Sequence, residues 1–298
     1  METCASIRRA RPLLGTFVDI AASASVRCDL PQALDAAFDA IAQVHRLMSF
    51  HNAESDLSRV NRGASAGAVP VHPWTYQVLQ TAADLNTRSG GIFDVTVAPL
   101  LQDKGLLPKN DTAGEVRVCG EAVLLEGGAV RFRTPGIQID LGGIAKGFAV
   151  DRAVDVLKSH GVANGLVNAG GDLAAFGAEP QRVQIRNPSN PRELLYAVAI
   201  ADAALASSGR GFDLLDHDKA GEAAVWDPHS RRQVRSIAGA SVRAPSCTIA
   251  DAMTKIVMIG GESTSSLLQE YRASALLVLD GGEVRITPDW PDGVSLAA

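Results

Sequence analysis

The chain has 298 residues, 46% hydrophobic and 20% charged, with a formal net charge of -5, so it is long enough to bury one large core or two smaller ones. Its mild acidity, without any Lys/Arg-rich run, leaves no electrostatic footprint for nucleic acid and favours small-molecule or protein partners. The cysteines at 4, 28, 119 and 247 have neither zinc-site spacing nor a disulfide framework, which suits isolated thiols in a reducing compartment.

At the N-terminus Arg8 and Arg9 precede no continuous apolar segment, because "RARP" and Asp19 interrupt it. No signal peptide is read there, nor any stretch long enough to span a bilayer, and a cytoplasmic protein is expected. Residues 14–22, with Phe17, Val18 and Ile20 among small residues, predict a strand. Over Leu30–Met48 the apolar positions Leu34, Phe38, Ile41, Val44 and Leu47 fall at helical spacing. "SFHNAESDLSRVN" reads as a loop and a short helix. A second long helix is predicted over Pro73–Arg88, stopped by Gly90 and Gly91. In "SGGIFDVTVAPL", residues 89–100, Asp94 follows a glycine pair and precedes a predicted Val/Thr-rich strand; such an aspartate ordinarily caps a turn. Residues 103–136 mix Gly, Pro and short β-like runs and predict a meander.

The stretch "IQIDLGGIAKGFAVDRAVDVL", residues 137–157, is apolar yet carries charges and glycines. Ile137, Ile139 and Leu141 alternate with Gln138 and Asp140 as in a half-buried strand. Gly142 and Gly143 break it, and Ile144, Phe148, Ala153, Val154 and Leu157 then share a helical face that Gly161 ends. A strand, a glycine turn and a helix start together point backbone N–H groups at an anion. Lys146 in the first turn opposes the helix dipole unless it meets a bound phosphate or carboxylate, or simply stands in solvent. Neither the dinucleotide fingerprint nor the P-loop spacing fits.

Downstream, "VNAGGDLAAFG" reads as a strand entering a hairpin turn or bulge. "RVQIRNP", "YAVAIADAALASSG" and "IAGASVRAP" add strands. A helix follows over 249–259, then a serine-rich helix and strands around "ALLVL" and "EVRIT". Asp251 and Lys255 stand at i, i+4, which suits a surface ion pair, but this helix has little exposed face. A carboxylate there needs a partner or a metal, and one carboxylate with backbone and hydroxyl oxygens would suit Mg2+. No histidine has metal-ligand spacing, and Ser207-Ser208 lacks the flanking residues of a hydrolase nucleophile. Strands come in runs with helices between them, so the expected fold class is α+β, antiparallel sheets with packed helices.

In order, "LLGTFVDI", "MSFHNAESDLSRVN", "GGIFDVTVAPL", "IDLGGIAKGFAVDRA", "LVNAGGDLAAFG", "ASSG", "VWDP" and "SVRAPSCTIADAMTK" resemble the ApbE family of FAD:protein FMN transferases. The resemblance implies a T-fold-like architecture with an N-terminal extension at 1–11 and one flavin transferase domain at 12–290. It implies FAD as donor, Mg2+, AMP release, and an acceptor flavoprotein modified on a threonine. Carried over by motif, the flavin contacts fall at Leu14, His51, Ile92, Phe93, Asp94, Asp140, Lys146 and Trp226. The metal falls at Gly143, Asp251 and Thr254, with Asp251 and Lys255 as catalytic residues. Relatives suggest one alternative, a Mg2+-dependent FAD pyrophosphatase, and a periplasmic, membrane-associated location as the alternative to the cytoplasm; Ala224 and Lys255 motivate a second, a non-catalytic FAD-binding protein. Two positions depart from the family pattern. Ala224 stands where a histidine is common, with His217 and His229 nearby in sequence, and Lys255 stands where a threonine is common, one place after Thr254.

Overall fold

A computed structural model describes residues 4–25, 28–109, 116–209, 225–290 and 295–296. The chain opens with a hairpin in which β1 (Cys4–Leu13) runs antiparallel to β2 (Thr16–Ser25). The strand predicted over 14–22 therefore begins two residues later. Leu14 and Gly15 form the turn, with φ of 56° and 71°, the left-handed backbone that a two-residue hairpin loop demands. The first arm draws residues 4–11 into the sheet.

α1 (Leu30–Met48) matches its predicted bounds and buries Leu34, Phe38, Ile41 and Val44. In α2 (Asp56–Gly63) Ser55 caps the helix by accepting from the Ser58 N–H. After the short β3 (Val69–Pro70), α3 (Pro73–Arg88) also keeps its predicted bounds, with Pro73 at its first position, where a missing N–H costs nothing. Asp94 does cap a turn, but the strand expected after it does not form. Its Oδ1 accepts both the Thr96 N–H and the Thr96 hydroxyl, winding Val95–Val97 into a 3-10 turn before α4 (Ala98–Asp103). Among the described residues of 103–136 the meander reduces to one hairpin, β4 (Val123–Glu126) with β5 (Ala129–Phe132).

The rest follows as α5 (Ala145–Ser159), β6 (Asn164–Ala169), β7 (Asp172–Phe176), β8 (Gln181–Asn187), β9 (Asn190–Ile200) and β10 (Ala203–Gly209). Then come β11 (Trp226–Asp227), β12 (Arg232–Gln233), β13 (Ile237–Ala244), α6 (Cys247–Gly260), α7 (Ser265–Glu270), β14 (Ser274–Leu279), β15 (Val284–Ile286) and β16 (Ser295–Leu296). The antiparallel sheets and packed helices are those of the expected α+β class.

These elements group into two compact units: Met1–Ala42, Lys146–Ala223 and Arg235–Ala298 form the first, and Gln43–Ala145 with Ala224–Val234 the second. The first unit is built on an antiparallel sheet in the order β1-β2-β6-β7-β10-β13-β14-β15. α6 packs on one face of it, over β13 and β10. On the other face β8 and β9 close a core with Leu173, Ala175, Leu205 and Leu276. All five residues of β7 are buried because both its faces are covered, and by the two-residue period its even positions point to the helix side.

The second unit holds α2, α3, α4, the sheet β3-β5-β4 and the hairpin β11-β12. Here residues 137–141 depart from expectation: they pair with no strand among the described residues, and Gln138 is buried alongside Ile137, Ile139 and Leu141. A side chain supplies what a neighbouring strand would. Asn61 donates its amide N–H to the Ile139 carbonyl at 2.9 Å and accepts the Ile139 N–H at 2.8 Å. Asn61→Ala strands both groups in the interior, and urea unfolding is expected to show a loss of about 2–3 kcal/mol, at about 1–3 kcal/mol per unsatisfied buried group. A loss under about 0.5 kcal/mol, the range of ordinary surface substitutions, would refute this role. Among the described residues no helix is long and apolar enough to cross a membrane.

Candidate functional site: paired lysines and aspartates at a helix crossing

In the first unit α5 and α6 touch where a glycine permits it. A Cβ on Gly147 would lie 2.2 Å from the Cys247 carbonyl oxygen and 2.8 Å from the Asp251 Cβ. The contact is also stitched by hydrogen bonds. The Gly147 N–H donates to Asp251 Oδ2 at 3.0 Å. Asp151, one turn along α5, accepts the N–H groups of Cys247 and Thr248 at 2.8 and 2.9 Å and the Thr248 hydroxyl at 2.5 Å. One helix thereby caps the first turn of the other, satisfying donors that would otherwise be orphaned.

This crossing gathers four charges. Lys146 Nζ donates to Asp172 Oδ2 at 2.5 Å, and Lys255 Nζ pairs with Asp251 Oδ1 while also reaching the Asp251 carbonyl at 3.1 Å. Both carboxylates are buried, whereas the lysine side chains keep 37% and 20% of their surface. The Asp251–Lys255 pair is therefore a buried one, not the surface pair its spacing allowed. Thr254, fully buried, donates to the Asp251 carbonyl at 2.7 Å, and its hydroxyl is 2.7 Å from that of Ser208 on β10.

The electrostatics follow from burial and pairing. The Asp172 charge holds the Lys146 ammonium protonated, raising its pKa against burial, with Asp251 adding to the effect. Burial works against the Asp251 charge, but Lys255, then Lys146, and the bonds from Lys255 and Gly147 outweigh it, so Asp251 sits below the ordinary carboxylate range. For Asp172 burial outweighs Lys146, and its pKa is raised. Burial, then Asp151, pushes the Cys247 thiol well above its usual value, which leaves it inert as a nucleophile. Formally the two pairs cancel. Each ammonium nevertheless carries three N–H groups, and both lysine side chains keep exposed surface, so together they can face an anion.

Leu14 lies in the same unit. Its turn abuts the Gly170-Gly171 turn that leads into Asp172: a Cβ on Gly170 would be 2.7 Å from the Thr16 hydroxyl oxygen. The remaining expected residues, His51, Ile92, Phe93, Asp94, Asp140, Gly143 and Trp226, belong to the second unit. Within it Asp94 ties the 94–96 turn to residues 119–120, its Oδ2 accepting the Gly120 N–H at 2.9 Å while the Thr96 hydroxyl oxygen accepts the Cys119 N–H at 2.7 Å. Phe93 is buried, its carbonyl held by Asn86 at 2.8 Å, and Ile92 is half-buried. Asp140 accepts the Gly142 N–H at 3.0 Å across the glycine turn. His51 is exposed. Lys104 stands 5.6 Å from the centroid of the Trp226 ring, whose buried indole N–H has no hydrogen-bond partner among the described residues. His229 contacts the Gly90 carbonyl at 3.1 Å. Ala224 and His217 lie outside the described residues.

Sequence reasoning missed Asp172, Ser208 and Asp151. Asp172 was legible only as the acid of a hairpin turn; the available signal was a charge opening a strand, "DLAAF", with no other polar residue to share it. Asp151 and Ser208 carried no local signal, because their partners stand 96 and 46 residues away.

The model of the ApbE family matches residues 14–278. The curated FAD:protein FMN transferase of Vibrio cholerae is 28% identical over 255 residues, covering 80% of this chain and 76% of its own length. That of Treponema pallidum is 26% identical over 318 residues, covering 96% and 88%. Among solved structures, the flavin transferase ApbE of Vibrio cholerae superposes with a TM-score of 0.83 at 24% identity, over 97% of this chain and 99% of that one. The ApbE protein of Thermotoga maritima gives 0.84 at 24% identity, over 95% and 97%. The fold is therefore that of the ApbE structures.

Proposed function

The chain belongs to the ApbE family, and from that premise we propose that it transfers FMN from FAD to a threonine of an acceptor flavoprotein, releasing AMP. Its curated relatives are transferases, and so is this chain. The observation that supports the reading is the pair of partly exposed lysine side chains, Lys146 and Lys255, anchored on buried carboxylates at one helix crossing. Phosphoryl transfer asks for positioning and charge neutralisation more than for covalent help.

In the reaction the acceptor hydroxyl oxygen forms a bond to the flavin-side phosphorus, and the bond from that phosphorus to the bridging oxygen breaks. AMP departs with the bridging oxygen, and the hydroxyl proton passes to solvent. Lys146 and Lys255 stand against the charge that develops on the diphosphate, as preorganised donors do. Asp172 keeps the Lys146 ammonium protonated, and Asp251 holds the Lys255 ammonium in place.

The family resemblance implies Mg2+ at Gly143, Asp251 and Thr254. Bound Mg2+ would supply Lewis-acid neutralisation of the diphosphate. As folded, however, the Lys255 ammonium lies against Asp251 Oδ1, the Gly147 N–H donates to Oδ2, and the Thr254 hydroxyl oxygen is 2.7 Å from the Ser208 hydroxyl. This arrangement does not fit a divalent cation.

The test is to incubate the purified chain with FAD and an acceptor flavoprotein of a curated relative, then to analyse the products by mass spectrometry and chromatography. AMP and an acceptor carrying FMN on threonine are expected. AMP with free FMN and an unmodified acceptor would replace transfer by hydrolysis, and intact FAD would leave flavin binding alone.

A further inference from the structure

We propose that Lys255 is a built-in cation: its ammonium holds the place beside Asp251 where a divalent metal would sit, so this chain handles a diphosphate with two lysines and no metal. The proposal deepens the transferase reading and rests on it for the identity of the diphosphate.

Three observations carry it. First, Asp251 has no accessible surface, and a carboxylate so placed needs an opposite charge; Lys255, one turn along the same helix, supplies it in direct contact. Second, the oxygens near that contact are already committed. Oδ2 takes the Gly147 N–H, and the Asp251 carbonyl takes both Lys255 at 3.1 Å and the Thr254 hydroxyl at 2.7 Å. Third, the described residues offer no further anionic ligand. Asp172, the other buried carboxylate of the cluster, is bonded to Lys146 at 2.5 Å, and among the described residues no group of three or more His, Cys, Asp or Glu could hold a metal. Mg2+ demands near-octahedral oxygen coordination. Here it would have to displace one ammonium and remain close to a second, and both repel it.

The helix makes the substitution geometrically cheap. Residues four apart lie one above the other on a helix surface, and an acid placed N-terminal to a lysine at that spacing is the favourable orientation. A lysine side chain is long enough to lay its ammonium on the carboxylate while its stem lies on the helix. A threonine at 255 would expose a hydroxyl but leave the Asp251 charge unmatched, which is the condition that calls for an ion.

The test reads metal binding apart from activity. Mn2+ is titrated into the full chain, with and without FAD, and free Mn2+ is followed by electron paramagnetic resonance. The native chain is expected to leave Mn2+ free, while Lys255→Thr binds one ion per chain at least tenfold more tightly and loses it on the further change Asp251→Asn. One Mn2+ bound by the native chain, in either state and lost in Asp251→Asn, would overturn the proposal; that arm needs no Lys255 variant. Absence of Mn2+ from a folded Lys255→Thr, checked by circular dichroism, would overturn it too, because the ammonium would not then be what keeps the ion out. FMN transfer in EDTA is expected to stay within twofold of its value with Mg2+, and a metal requirement would count against the proposal. If no transfer occurs under any condition the transferase reading fails, yet the Mn2+ titration still decides the role of Lys255.

Discussion

Gly147→Ala is expected to destabilise the chain by about 3 kcal/mol, at the upper end of what overpacking a tight contact costs. The change would ordinarily help, since alanine is the better helix former by about 1 kcal/mol. Here the new methyl would meet the Cys247 carbonyl carbon and oxygen at 2.6 and 2.2 Å. These are backbone atoms of α6, and no rotamer change can move them. The helices must separate, and doing so breaks the Gly147–Asp251 hydrogen bond and loosens the Asp151 cap on α6. Urea unfolding should show a lower midpoint with an unchanged slope, the signature of lost stability rather than altered compactness. FAD affinity should fall with it, because Lys146 precedes the displaced residue. A variant as stable as the parent would mean that α5 and α6 do not meet at Gly147.

Asp251→Asn is expected to cost about 3 kcal/mol at pH 7, as losing one member of a buried ion pair does. The substitution keeps the shape and can still accept from Gly147, so the loss reports charge. Its pH dependence has a definite sign. The folded pKa of Asp251 lies below the ordinary 3.8, so its contribution is complete above that value and is lost as pH falls through the folded pKa. The stability gap between parent and variant should therefore be full at neutral pH and should shrink in acid below about pH 3.8. Lys146 does not confuse the comparison, because its raised pKa keeps it protonated throughout that range. A gap that stays constant down to pH 3 would show that Asp251 is not held ionised by its lysines.

Much of the fold was legible because it is written in local periodicity. The two long helices keep their predicted bounds, since an apolar face repeating every three or four residues and a helix stop are properties of neighbouring residues. The glycine pairs at 142–143 and 170–171 marked turns for the same reason. Failures occurred where a polar side chain replaced a backbone partner: Asp94 wound a turn from residues with strand propensity, and Asn61 served residues 137–141 as a one-residue strand. In both cases a side-chain hydrogen bond outweighed intrinsic preference, which is a weak prior.

The same division runs through the site. Sequence by itself determined which residues carry charge, that Lys146 opens a helix against its dipole, and that Asp251 and Lys255 share a helix face. Only the tertiary structure decided that Asp172 is the partner of Lys146, that Gly147 is the point where two helices touch, and that both oxygens of Asp251 are engaged. Those pairings join residues 26 and 104 positions apart. The physical reason is that burial, which turns an ordinary ion pair into a strong and obligatory one, is a property of the packed interior and has no trace in the local order of residues.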